Sequence, residues 1–151
     1  MTSSLDRLPR EPGDLARRVA ALEAALDRLR AAVPDAGDGL IAPQDADTTR
    51  WPQTTSGLWT GISRCQTIAR PRRLRMVVAT AATGGGAGTV RVSIGSTVWS
   101  PVITVPQILD YTAALPAGTS LGIPVSITVE ALRTSGAGTV YAQTLLIGWT
   151  D

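Results

Sequence analysis

"TVRVSIGS", residues 89–96, indicates a β fold, because apolar and polar side chains alternate along it. In an extended strand Val90, Val92 and Ile94 would share one face, as in a sheet that buries one side. "PVSITVEAL", residues 124–132, repeats the alternation. We therefore expect a mainly β protein in which residues 54–151 form a β head, a β-sandwich of jelly-roll type.

Three further runs have the composition of strands and are separated by glycine turns or prolines. They are residues 74–81, 97–105 and 140–149. The last run ends in "LLIGW", residues 145–149, which is apolar on both faces. Since a sandwich strand normally exposes one face to water, this run is typical of a subunit interface.

The sequence Gly-Ala-Gly-Thr-Val occurs twice, at residues 86–90 and 136–140. Each copy follows a β run, which predicts two similar hairpins that turn through glycines of positive φ. A phosphate-binding loop is the alternative for "TGGGAGT", residues 83–89. That alternative lacks the lysine of a P-loop and precedes a strand instead of a helix.

A second pattern, "RRVAALEAALDRLRAAV" at residues 17–33, predicts a helix. Its apolar side chains are spaced by four and three residues in turn, which is the rhythm of a coiled coil. We expect the helix to span residues 14–33, with Asp14 as its cap and Pro34 as its stop. The apolar stripe is narrower than a globular core requires, so self-association is favoured over packing on the chain's own β head.

The number of strands in the coiled coil is indicated by the charges beside the stripe. Residues 18–23, "RVAALE", resemble the Arg-h-x-x-h-Glu pattern of short parallel trimeric coiled coils, whereas valine at a with leucine at d favours dimers. We expect a parallel homotrimer. The predicted trimerisation residues are Leu15, Arg18, Val19, Leu22, Glu23, Leu26, Leu29 and Val33.

The remaining N-terminal residues lack periodicity. Residues 1–13 are expected to form an irregular N-terminal arm, and residues 34–53, rich in Pro, Gly, Asp and Thr, an extended linker or neck. A calcium loop is the alternative for the acidic residues of the neck, but their spacing does not fit the EF-hand pattern. These residues are Asp35, Asp38, Asp45 and Asp47.

Composition excludes several functions. The 151 residues include 14 basic residues, all arginine, 12 acidic residues and no histidine. The single cysteine, Cys65, excludes an internal disulfide framework and a thiolate metal cluster. Without histidine the chain has no Ser-His or Cys-His pair for nucleophilic catalysis. A glycosidase would need a pair of carboxylates such as Asp110 and Glu130, but Glu130 is predicted to face solvent. We expect no enzyme, cofactor, metal, signal peptide or membrane insertion.

One basic concentration, "ARPRRLR" at residues 69–75, is a candidate patch for an anionic ligand. Its arginines are Arg70, Arg72, Arg73 and Arg75. Nucleic acid is disfavoured because no aromatic residues are interleaved. Charge pairing with the acidic neck of the same or a neighbouring subunit is the favoured interpretation of this cluster. The four tryptophans are expected to anchor the core or an interface, with Trp59 a candidate for exposure.

The order of arm, coiled coil, neck and β head resembles small trimeric fibre proteins, or minor tail proteins, of bacteriophage virions. The resemblance implies a virion protein, assembled in the bacterial host cytoplasm, whose N-terminal arm binds other virion proteins. It implies further that the β head attaches to a host-surface glycan or protein. Two alternatives remain open, a capsid head fibre or decoration protein with a structural role only, and a cellular trimeric lectin-like β-sandwich.

Overall fold

The computed structural model describes residues 12–32, 40–41 and 44–150 and shows a mainly β chain with one α-helix and two β sheets. The chain divides into two units, Met1–Ala36 and Gly37–Asp151. Most of the predicted arm, together with Val33, Asp35 and Asp38, lies outside the described residues. No described helix has the length and apolar character needed to cross a membrane.

Helix α1 spans Pro12–Ala32, so the predicted helix is confirmed but begins earlier than expected. Proline suits the first turn of a helix, because its fixed φ is helical and its missing N–H would have no partner there. Asp14 therefore lies inside the first turn, and its predicted position as the cap is wrong.

The described residues of the second unit form ten strands and one turn of 3-10 helix, Thr48–Arg50. In chain order the strands are β1 (Leu40–Ile41), β2 (Gln53–Thr54), β3 (Thr60–Ile68), β4 (Arg73–Ala82), β5 (Ala87–Ile94), β6 (Thr97–Val98), β7 (Ile103–Thr104), β8 (Ile108–Ala114), β9 (Pro124–Ser135) and β10 (Val140–Thr150). Sheet A has the order β1-β10-β4-β8, with β2 also paired to β10. Sheet B has the order β3-β9-β5-β6, with β7 also paired to β5.

The alternating runs build the core, as predicted. Val90 and Val92 of β5 and Ile127 of β9 are fully buried on sheet B. They share one apolar cluster with Met76 and Val78 of β4, which belong to sheet A. The two sheets therefore enclose a common core. Trp99 and Trp149 also belong to it, which confirms the prediction for two of the four tryptophans.

The two Gly-Ala-Gly-Thr-Val segments are not hairpins, and that prediction is wrong. β4 and β5 belong to different sheets, as do β9 and β10, so each loop carries the chain across from one sheet to the other. The glycine part of the prediction is confirmed, because Gly84, Gly85 and Gly136 all have positive φ. Local alternation identifies a strand but does not identify the strand it pairs with.

The described part of the predicted neck is not an extended linker. β1 pairs with β10 opposite Leu146 and Ile147, and β2 pairs with the opposite end of the same strand. Between them Asp47 caps the 3-10 helix by accepting from the Thr49 N–H at 3.0 Å. The indole of Trp51 donates to the carbonyl of Asp45 at 2.7 Å. Residues 40–41 and 53–54 are therefore strands of sheet A, and residues 45–51 form a hydrogen-bonded turn, whereas residues 34–53 were predicted to form an extended linker.

Candidate functional sites

The first candidate site is an apolar stripe on α1, which we call the helix seam, formed by Leu15, Val19, Leu22 and Leu26. These four side chains are 45–69% exposed in the single chain. They are spaced by four, three and four residues and therefore follow one line along the helix. Such a stripe can bury its apolar surface only against another apolar surface. The side chains of Leu29 and Val33 lie outside the described residues.

The second candidate site is an open cleft of about 580 Å³ between the β3–β4 loop and the β8–β9 loop. We call it the arginine cleft. Arg70 and Arg72 of the first loop and Arg73 at the start of β4 line it. The second loop contributes Leu115, Pro116, Thr119 and Leu121.

Backbone hydrogen bonds hold the two loops of the arginine cleft together. The N–H of Ala69 donates to the carbonyl of Ile123 at 2.9 Å, and the N–H of Gly122 donates back to the carbonyl of Ala69 at 2.8 Å. Gly122 has a φ of 80°, a conformation that favours glycine. Thr119 closes the adjoining turn, because its hydroxyl donates to the carbonyl of Pro116 at 2.7 Å.

Three of the four predicted arginines thus line one cleft, and the fourth does not. Arg73 donates from Nη2 to the carbonyl of Thr112 at 3.0 Å, which fixes one guanidinium at the cleft wall. Arg75, two residues further along β4, donates instead to both carboxylate oxygens of Asp110, at 2.9 and 2.7 Å. Hydrogen bonding and charge in this pair raise the pKa of Arg75 and hold the pKa of Asp110 below its ordinary value.

The arginine cleft is lined by three arginines and, among the described residues, by no carboxylate. Two acidic side chains of the β sheets, Asp110 and Glu130, accept instead from Arg75 and Arg91. Planar guanidinium groups bind carboxylate and phosphate through paired hydrogen bonds, so the arrangement suits a ligand with either group.

Glu130 does not simply face solvent, which corrects the prediction. Its Oε2 accepts from Arg91 Nε at 2.6 Å and from the Ser93 hydroxyl at 2.8 Å. The guanidinium of Arg91 lies 4.0 Å from the centre of the Trp59 ring, and Trp59 is half-buried. The cluster follows from register, because Arg91 is directly opposite Glu130 in the β5–β9 pair. Opposite charges on two alternating runs are the sequence signal that could have indicated this pair.

The two carboxylates considered for glycoside hydrolysis are not brought together. Asp110 lies on β8 of sheet A, and Glu130 lies on β9 of sheet B. Each is bound to an arginine of its own sheet. The described residues also contain no group of three or more potential metal ligands.

Comparison of the chain with protein-family models, with curated proteins and with solved structures gives no match. The helix seam and the arginine cleft are therefore the features that indicate a function.

Proposed function

We propose that this chain is a homotrimeric structural protein of a bacteriophage virion, a tail fibre or minor tail protein. Its N-terminus is the anchor to other virion proteins, and its β head is the part exposed for attachment to the host surface. The helix seam is the observation that carries the proposal. An exposed apolar line on an elongated helix is the expected surface of a subunit in a coiled coil.

The length and pattern of α1 support self-association. Most of the stability of a helix in a protein comes from packing of its apolar face, and α1, with 21 residues, leaves its apolar line exposed in the single chain. Association of parallel copies would bury the seam of each copy against the others and place Arg18 beside Glu23 of a neighbour. The Arg-h-x-x-h-Glu spacing at residues 18–23 favours three copies.

The strand order supports a jelly roll for the β head. β1 and β2 together form one edge of sheet A, and β6 and β7 together form one edge of sheet B. Counted in this way, each sheet has four strands, and the order in which the chain visits them is the order expected of a jelly roll. Jelly rolls occur in viral capsid proteins and in lectins, so this topology suits both an adhesive head and a structural one.

The apolar run at residues 145–149 supports contacts between β heads. Leu146 lies opposite Val77 in the β10–β4 pair, and both side chains are half-buried in the single chain. Alternating strands would place polar residues there. A neighbouring copy would cover this apolar pair.

Two measurements test the proposal. Light scattering of the full-length protein should return three times the chain mass of 15.7 kDa. Electron microscopy of antibody-labelled phage particles should then show the protein on the tail. A monomer would overturn the trimer, label on the capsid would replace the tail assignment with a decoration role, and a protein absent from particles would favour a cellular binder.

A further inference from the structure

We propose that the arginine cleft binds an acidic saccharide, one that carries carboxylate or phosphate groups. The inference rests on the proposed function, because it names the chemistry by which the β head would recognise a cell surface. Arg70, Arg72 and Arg73 supply the positive side of the cleft.

The opposite side of the cleft fits a sugar ring. Leu115 packs against the core, and Leu121 is 56% exposed, so apolar surface lines the cleft together with the arginines. Thr119 has its hydroxyl proton committed to Pro116, which leaves the oxygen to accept from a ligand hydroxyl. Apolar walls with a few fixed polar groups, within about 300–1,000 Å³, are typical of small-molecule sites.

The loops of the arginine cleft are held in place, which favours a preformed saccharide site over a charged surface that only attracts counter-ions. The reciprocal bonds between Ala69 and the 122–123 segment hold the loops in place, and the Arg73–Thr112 bond orients one guanidinium. Binding then orders few protein groups, which reduces its entropic cost. Nucleic acid is the less suitable polyanion, because none of the described residues that line the cleft is aromatic and able to stack on a base.

A competing use of the cleft is charge pairing with the acidic N-terminal part of the chain. Leu40 of β1 is opposite Ile147, and Arg73 is opposite Thr150. The chain therefore enters sheet A near the end of β10 on which the arginine cleft opens. A test must separate an intramolecular or intersubunit partner from an external ligand.

The experiment is calorimetric titration of the full-length protein with four oligomers. An oligogalacturonate carries carboxylates, a glycerol-phosphate oligomer carries phosphodiesters, a malto-oligosaccharide is neutral, and a single-stranded DNA oligomer is the nucleic-acid probe. We expect binding of one or both of the first two, weakened by salt, and none of the neutral oligomer. Preference between the first two identifies the anionic group.

Substitutions assign the binding to the cleft. Arg72→Ala with Arg73→Ala should weaken binding by about tenfold or more, because each charged hydrogen bond contributes on that scale. Arg72→Lys with Arg73→Lys keeps the charge but loses the planar fork and should give a smaller loss. Arg64→Ala, which removes an exposed arginine from β3 of the other sheet, is the control and should leave affinity unchanged.

Three results would overturn the inference. One is binding that Arg64→Ala weakens as much as the cleft variant does. Another is a preference for DNA over both acidic oligomers. The third is no binding by the wild type together with a lower melting temperature of the Arg72/Arg73 variant, which would assign the cleft to internal charge pairing. A trimer found on phage particles that binds no acidic oligomer would reject the cleft ligand while leaving the proposed function in place.

Discussion

Gly138 lies against the carbonyl oxygen of Thr83 so closely that a Cβ atom on Gly138 would overlap that oxygen. The contact joins the β9–β10 loop to the β4–β5 loop. Beside it the N–H of Thr83 donates to the carbonyl of Thr139 at 3.0 Å. The glycines shared by the two loops thus allow two backbone turns to touch where the chain crosses between sheets.

Replacing Gly138 with alanine should therefore destabilise the second unit by at least about 2 kcal/mol, because backbone atoms must move to admit the methyl group. The same methyl would also lie 2.7 Å from the backbone nitrogen of Gly86. Urea unfolding followed by tryptophan fluorescence measures the loss. Gly57→Ala is the matched control, since the nearest atom to a Cβ there is 4.0 Å away, and it should change stability by less than about 0.5 kcal/mol. Equal effects of the two substitutions would contradict the packing argument.

Leu22→Asp should abolish self-association and reduce helicity. Leu22 is 69% exposed in the single chain, so the change disturbs little within one copy but places like charges together in an assembled seam. Ala24→Asp adds the same charge to α1 outside the seam and should keep both mass and helicity. Light scattering and circular dichroism provide the two readouts. An unchanged mass for Leu22→Asp would remove Leu22 from any interface.

Arg91→Met should destabilise the second unit by about 1–3 kcal/mol, because it removes the ion pair with Glu130 and the contact with Trp59 together. Arg91 and Glu130 have side chains that are only 21% and 22% exposed, so water replaces the lost partner poorly. A double-mutant cycle with Trp59→Leu should give a coupling of about 0.5–1 kcal/mol for the ring contact. Additive single effects in that cycle would show that the contact contributes nothing.

Asp110→Asn should lower stability slightly at neutral pH and not at all in strong acid. The Arg75 guanidinium lowers the pKa of Asp110 in the folded state, so the unfolded chain binds this proton more tightly. The pair therefore stabilises the fold above the ordinary carboxyl pKa, and this stabilisation is lost as pH falls through the lowered value. Both side chains are more than 40% exposed, so high salt should also remove the difference. A gap between wild type and variant that does not narrow as the pH falls from neutral into strong acid would contradict the assignment.

Cys65 should react slowly with iodoacetamide in the native protein. Its side chain packs against the core, and burial raises the pKa of the thiol, so little reactive thiolate is present at neutral pH. Unfolding in urea should accelerate alkylation by about tenfold or more, as measured by mass spectrometry. Similar rates in the two states would show that the thiol is accessible in the folded protein.

Features that depend only on neighbouring residues were predictable from the sequence. The alternation at residues 89–96 predicted a strand with Val90, Val92 and Ile94 on one face, and all three residues are buried. The spacing of leucines and valines predicted α1 and its apolar line. Both predictions succeed because the side-chain period of a strand or a helix is fixed by the local backbone.

Which segments lie beside one another is specified by tertiary packing. It pairs residues 40–41 and 53–54 with β10, carries both glycine loops between sheets, and joins Arg91 to Glu130 across 39 positions of sequence. It also divides the arginine cluster, since Arg73 lines the cleft and Arg75 binds Asp110. A strand's alternation specifies which face is buried, whereas its partner and register depend on packing with distant segments that local sequence does not encode.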